Sequence, residues 1–496
     1  MITLGLDLGT SGVKALLLDG DATIATATAP LSVQRPAPGW SEQHPHDWWQ
    51  ATERCLDELA AAHPRAMAAV RGIGLSGQMH GATLLDASHA VLRPCILWND
   101  GRSGAQCEPL EAPDLRLRQI AGNPAMAGFT APKLLWVREH EPEVFARIAT
   151  VLLPKAWLRW KLTGEFIEEM SDASGTLWLD VAQRRWSPSL LAACGLSEAQ
   201  MPRLVEGSEA AGTLRAEWVR RWGFAQAPVV AGGAGDNAAG AVGVGAVEPG
   251  DAFVSLGTSG VLWATTAGFA PAADLGVHAF CHALPGLWHQ MGVQLSAAAS
   301  LSWWARVAGA GEAALLDELE GFGHGGPTPC WFVPYLSGDR TPHNDSAVRG
   351  GFLHLSADTA RPGMTQAVLE GVAYALRDAR DALASAGTQL READLLGGGA
   401  RSARWSQILA DVLGIPLHQV EGGEHGCALG AARLARAAAG GGSDFAKPRR
   451  VRSFEPDRCR MALYDEAYPR WQMLYRLARQ VSAPPAFPSP TPALAA

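Results

Sequence analysis

Alternating apolar and polar positions open the chain. Residues 2–33 hold three such runs, ITLGLDL, VKALLLD and IATATAPLSV, separated by tight turns. This spacing predicts an antiparallel meander rather than an opening strand–helix–strand unit. The period lengthens at 45–62, where apolar residues recur at helical spacing. VRGIGLSG (70–77) and VLRPCILW (91–98) read as buried strands. Helical patterns then dominate from about 103 to 225, apart from a short strand near 150, and APVVAG (227–232) reads as a strand ahead of a glycine-rich turn. At 252 the meander restarts with DAFVSLG, GVLWATT and GLWHQMG, and helices are predicted at 294–308, 363–387, 402–414 and 426–439. Residues 437–450 read as a mobile loop, and the Pro/Ala/Ser-rich residues 481–496 as a disordered tail.

The restart is marked by a repeated word, LGTSGV, at 8–13 and 256–261. It predicts two domains of related topology, 1–245 and 246–480. A glycine-bounded Gly-Thr-Ser-Gly bend presents backbone N–H groups and two hydroxyls, a nest suited to phosphate. One copy alone would read as a plain hairpin turn; two in matching contexts read as a pair gripping one polyphosphate. The flanks differ pointedly in the residue ahead of each copy, Asp7 before the first and Ser255 before the second. One carboxylate beside bound phosphates suffices to hold Mg²⁺, chiefly through water. No P-loop GxxxxGK[ST] occurs.

Composition narrows the class. A net charge of −8 gives no footing for nucleic acid or a membrane surface. No apolar run is long enough to cross a bilayer, and MITLGLDLGT lacks the basic start of a secretory leader. Eight cysteines without a CxxC pair read as reduced thiols, so a cytoplasmic protein is expected.

Four further patches carry candidate chemistry. In AGGAGDN, Asp236 opens a helix from a glycine-rich bend, a place for a general base as well as for a helix cap. The dinucleotide-like spacing Gly233-x-Gly235-x-x-Ala238 there is a weak match, lacking the acidic strand end that should follow. LLGGGARS (395–402) can lay a flat ring against its backbone. GQMHG (77–81) and WNDGR (98–102) place polar side chains and a Trp at strand ends, as a sugar site requires. His278, Cys281 and His282 have metal-like spacing, but no further ligands follow.

These residues resemble the FGGY carbohydrate kinases over about residues 1–475. GFTAPKLLWVREH (128–140) matches the family's first signature, and GGFLHLSADTARPGMTQAVLEG (350–371) approximates the second, with His354 where glycine is usual and Gly363 where a polar residue is usual. WSEQHP (40–45), GLSGQMHG (74–81), ILWNDGR (96–102), KAWLRWKLTGEF (155–166) and PYLSGDRTPH (334–343) are most similar to members acting on D-xylulose, with Asp339 in place of a usual Glu. The resemblance implies an α/β fold of two ribonuclease-H-like domains around a central cleft, and ATP-dependent conversion of D-xylulose to D-xylulose 5-phosphate. It implies Asp236 as catalytic base and Asp7 as the Mg²⁺-associated acid. It implies sugar contacts at Met79 and His80, with Gln78, Trp98 and Asn237 beside them. ATP contacts are expected at Thr10, Ser11, Lys14, Gly257, Thr258, Gly398, Gly399 and Ala400, and a homodimer is a family-level expectation. Three other readings stay open: a family member acting on L-ribulose, L-xylulose, D-ribulose or glycerol, an Hsp70- or actin-like ATPase switch without sugar chemistry, and an NAD-dependent oxidoreductase resting on GAGDNA alone.

Overall fold

The computed structural model describes residues 1–323, 325–421 and 426–482. Of the stretch expected to be disordered, all but its first two residues lie outside the described residues. The opening meander forms as predicted: β1 (Ile2–Leu8), β2 (Gly12–Asp19) and β3 (Ala22–Pro30) pair antiparallel. β4 (Val70–Gly77) then joins parallel to β1. β5 (Ala210–Thr213) and β6 (Val229–Ala231) extend that side, giving the order β5-β6-β4-β1-β2-β3, with Ala234–Gly235 also pairing parallel to β4. The second sheet repeats the plan. Its strands are β7 (Ala252–Leu256), β8 (Gly260–Thr266), β9 (His278–Cys281), β10 (Trp288–Gln294), β11 (Ala393–Leu396), β12 (Leu417–Val420) and β13 (Arg450–Phe454), in the order β9-β10-β8-β7-β11-β12-β13. Each sheet therefore joins an antiparallel meander to parallel strands, and the two copies of LGTSGV occupy equivalent β1–β2 and β7–β8 turns.

Helices cover both sheets. α1 (Pro45–Ala62) starts with proline in its first turn, and His44 caps it by accepting from the His46 N–H. It buries Trp48, Trp49, Leu56 and Leu59, each worth roughly 1.5–3 kcal/mol against exposure. Further on come α2 (Thr130–His140), α3 (Pro154–Thr163), α4 (Asp236–Gly243), α5 (Arg361–Ser385), α6 (Ala403–Leu413), α7 (Gly426–Ala438) and α8 (Arg458–Ser482).

Some local expectations fail. VLRPCILW is a strand only at Cys95–Ile96, with a single bridge from Val91 to Leu85 before it, because Pro94 lacks a donor and Arg93 leaves the ladder for an ion pair with Glu42. The helical region 103–225 is broken by short strand pairs such as Ile167–Glu169 with Arg203–Val205. β9 and α8 have no counterpart among the elements the pattern predicts, and α8 runs through Ser482, into the start of the expected tail. The stretch expected to be a mobile loop contains buried Phe445, and Lys447 pairs with Asp251. His354, the departure from glycine, takes φ 60°, the left-handed backbone glycine would adopt freely, and its Nδ1 is 2.8 Å from the Pro329 carbonyl.

The two halves meet through backbone. α7 lies between the first sheet and α4. A Cβ placed on Gly74 of β4 would stand 1.8 Å from the Ala431 carbonyl oxygen, and one on Gly430 of α7 would stand 1.8 Å from that of Ala239 in α4. Only glycine permits these approaches. Replacing Gly430 with Ala should force α7 from α4 at a cost of about 3 kcal/mol. Thermal melts and turnover check this: Tm and kcat should fall together, and an unchanged Tm would refute the close contact.

Candidate active site

The cleft forms where parallel strands end. Asp7 is the penultimate residue of β1, Met79 and His80 follow β4, and Asp236 begins α4 directly after the Ala234–Gly235 strand. These strands run parallel, so all three sites emerge at one carboxyl edge, where open α/β sheets bind ligands. In the second sheet, Gly257 follows β7 and Gly397 follows β11, again from parallel neighbours.

Three cavities line this edge. The largest, about 960 Å³, is walled by Gly257, Thr258, Gly398, Gly399 and Arg404 among others. A second, about 290 Å³, holds Asp7, Lys14, Asp236, Asn237 and Ser255. A third, about 240 Å³, holds Met79, His80, Trp98, Asp236, Asn237 and Arg340. Asp236 and Asn237 belong to both smaller cavities, and the two residues that distinguish the repeated loops, Asp7 and Ser255, face one space.

Asp236 is held in place from beneath. The Gly235 N–H lies 3.1 Å from both a Glu169 carboxylate oxygen and the Ser171 hydroxyl. Glu169 belongs to a fully buried cluster in which Lys155 Nζ lies 2.8 Å from Glu168 and 3.4 Å from Glu169 and Asp172. Burial raises the Asp172 carboxyl; the Lys155 charge opposes that shift, and the neighbouring Glu168 and Glu169 add to it. One lysine thus anchors a knot that would otherwise be self-repelling. Asp236 is not the helix cap: Gly235 takes that position, leaving the carboxylate on the cleft, with Oδ1 accepting from the N–H and side-chain amide of Asn237. Burial pushes the Asp236 carboxyl up to about 6; the hydrogen bonds from Asn237 oppose the rise, while the charge of Asp7 adds to it. Burial also raises Asp7, and a hydrogen bond from Ser76 and the charge of Lys14 oppose that shift.

His80 sits at φ 70°, a left-handed backbone seldom taken by a side-chain-bearing residue. Its carbonyl is clamped by Lys133 Nζ at 2.8 Å, which also donates to the Gly128 carbonyl at 2.7 Å. Burial lowers the Lys133 ammonium to about 7. Burial, reinforced by the Lys133 charge, lowers His80 to about 3, so its ring is neutral at working pH. Nδ1 lies 2.9 Å from the Gly175 carbonyl oxygen, which requires the proton on Nδ1 and leaves Nε2 as an acceptor for a hydroxyl.

Several expected contacts are placed elsewhere. Gln78 is buried and spent: it accepts from the Thr10 hydroxyl at 3.0 Å and donates to Gln43 at 2.9 Å. The Thr10 hydroxyl also accepts from Trp98 Nε1 at 2.9 Å, so it braces the sugar-side Trp. Ser11 is exposed and lines none of the three cavities. Ala400 is buried, its carbonyl accepting from Ser406, whereas Gly398 and Gly399 line the largest cavity. In WNDGR only Trp98 reaches the cleft; Asp100 is buried in an ion pair with Arg102 at 2.7 Å. The sequence reading missed His278, Phe280 and Arg340, which the second half sends into the 240 Å³ cavity. The alternation of HAFCH was the available signal: it is strand β9, with His278 and Phe280 on one face.

Family models for the N-terminal and C-terminal domains of the FGGY family of carbohydrate kinases match residues 2–243 and 252–439. The chain belongs to the FGGY family of carbohydrate kinases. It is 52% identical to the xylulose kinase of Escherichia coli (strain K12) over 437 residues, covering 88% of this chain and 90% of that one. Among solved structures it is similar to a xyloylose kinase from Brucella ovis, at TM-score 0.94 and 53% identity over 97% of this chain and all of that one. The xylulose kinase from Rhodospirillum rubrum superposes at TM-score 0.88 with 29% identity, covering 97% of this chain and 100% of that one. This FGGY chain is thus an ATP-dependent carbohydrate kinase. No helix among the described residues is long and apolar enough to cross a membrane.

Two outcomes follow from the site's electrostatics. A base that works as the carboxylate is lost as it protonates, so kcat/KM should fall about tenfold per pH unit below the Asp236 value of about 6 and level off above it. A pH–rate profile without an acid limb between about pH 5 and 7 would refute this. Lys133→Met leaves the His80 and Gly128 carbonyls without their donor and should raise the sugar KM about tenfold while the ATP KM stays within about twofold. Equal effects on both would show a general loss of structure instead.

Proposed function

We propose that this FGGY kinase transfers the γ-phosphoryl group of ATP to D-xylulose, giving D-xylulose 5-phosphate, with Asp236 as general base. The observation that carries this reading is the double placement of Asp236, on the wall of both the 240 Å³ and the 290 Å³ cavity. A base between a polyol pocket and a phosphate pocket can take the proton of a hydroxyl as it attacks phosphorus. The identity to the Escherichia coli xylulose kinase supports D-xylulose as the sugar.

The sugar binds on the side of residues 1–245. His80 Nε2 accepts from a hydroxyl, Trp98 and Met79 supply apolar faces, and Asn237 steadies the base. The nucleotide binds on the side of residues 246–480, with Gly398 and Gly399 against adenosine and Gly257 and Thr258 near the phosphates. Lys14 and the first hydroxyl loop meet the phosphates from the opposite side. Asp7 and Asp236 bring hard oxygen donors to one cavity, and each is raised by burial, so a divalent cation would relieve both. That donor set fits Mg²⁺, held chiefly by Asp7, which would neutralise phosphate charge when bound. The free, mostly buried thiols are in keeping with a reducing, cytoplasmic setting.

ADP release with ATP and Mg²⁺ across D-xylulose, L-xylulose, L-ribulose, D-ribulose, glycerol and no sugar tests the reading. D-xylulose should exceed every other sugar at least about tenfold in kcat/KM, and Asp236→Asn should lower kcat at least about a hundredfold with ATP binding retained. A better rate on another polyol would reassign the pocket. Equal ADP release without sugar would favour an ATPase switch.

A further inference from the structure

Arg340 lies in the turn that follows Pro334-Tyr-Leu-Ser-Gly-Asp, on the second-sheet side of the cleft. The backbone around it is fixed. The Thr341 N–H donates to the Val293 carbonyl at 3.1 Å, and its hydroxyl accepts from the Val293 N–H at 2.9 Å and donates to the Gly276 carbonyl at 2.7 Å. Gln294 donates to the Thr341 carbonyl at 2.7 Å, and Asp339 and Asp345 exchange backbone hydrogen bonds at 2.8 and 2.9 Å. The turn is therefore riveted to β10, and it delivers the Arg340 side chain into the 240 Å³ cavity with His80, Trp98, Asp236 and His278.

The guanidinium ends in that cavity without a partner among the described residues, making no hydrogen bond and no ion pair with them. Its neighbour Asp339 is mostly protonated at neutral pH, since burial pushes that carboxyl up to about 8. The histidines that share the cavity are neutral, because burial lowers both and the Arg340 charge lowers them further. A guanidinium offers only donors, in a fixed fork, and this half-buried one leaves its fork open to acceptors that a ligand brings. A neutral ketose brings carbonyl and hydroxyl oxygens into this space. Arg340 does not line the 290 Å³ cavity of Asp7 and Ser255, which separates it from the phosphate side.

We propose that Arg340 is a sugar-binding residue supplied from the nucleotide-side half, donating hydrogen bonds to oxygen atoms of the ketose that His80 and Trp98 hold from the other half. Sugar binding then ties the two halves together. The proposal rests on the sugar-kinase reading above.

The test compares wild type with Arg340→Ala, Arg340→Gln and Arg340→Lys for the KM of D-xylulose, the KM of ATP and kcat, with Tm recorded for each. Arg340→Ala should raise the D-xylulose KM at least about tenfold and leave the ATP KM within about twofold, with Arg340→Lys recovering part of the loss. Should Arg340→Ala fail to fold, Arg340→Gln, which keeps much of the stem and loses the charge, decides by the same criterion. A sugar KM within about twofold of wild type in folded variants overturns the proposal. So does a fall in kcat alone, which would assign the guanidinium to the transferring phosphoryl group. Failure of the wild type on every sugar would instead overturn the proposed function.

Discussion

Backbone-to-backbone packing of α7 against β4 and α4 is the constraint on which the cleft depends. Gly74 and Gly430 let carbonyl oxygens come closer than any side chain would allow. The contact joins elements from both halves of the chain and fixes α4, whose first residue is Asp236. Any shift here moves the carboxylate relative to both the sugar-side and phosphate-side cavities. Small residues in AAGAVGVG and GCALGAARLARAA, unremarkable as composition, therefore set the geometry of the chemistry.

Burial does the electrostatic work. Asp236 is raised by desolvation and by the nearby charge of Asp7, yet its hydrogen bonds from Asn237 hold the value near 6, where a base is both ionised and reactive at neutral pH. His80 is kept neutral by the same dry surroundings and by the Lys133 cation, so it accepts rather than repels. Lys155 serves a different end: it neutralises the carboxylates that hold the Gly235 backbone in place. Two buried lysines thus position the site without lining the sugar cavity.

Much of the fold was legible in the chain. Period-two runs in the first thirty residues became β1–β3, and the repeated LGTSGV marked the equivalent turn in each half. The long-spaced apolar pattern at 45–62 became α1 with its ends where proline and histidine placed them. VLRPCILW misled because proline and an ion-paired arginine interrupt a run that is apolar by count. The GQMHG reading found His80 and Met79 but overvalued Gln78, whose amide is consumed by Thr10 and Gln43, partners 68 and 35 positions away along the chain.

Local pattern alone determined the two meanders, the paired loops, the family resemblance and Asp236 at the head of a helix, because each depends on neighbours within a few residues. The tertiary structure decided what faces the cleft. Parallel pairing of β1, β4 and the Ala234–Gly235 strand aligns Asp7, His80 and Asp236 at one edge, and the turn pinned to β10 carries Arg340 to the same cavity as His80 and Asp236. Register between distant strands and the desolvation it creates are properties of the packed molecule, and no stretch of sequence contains them.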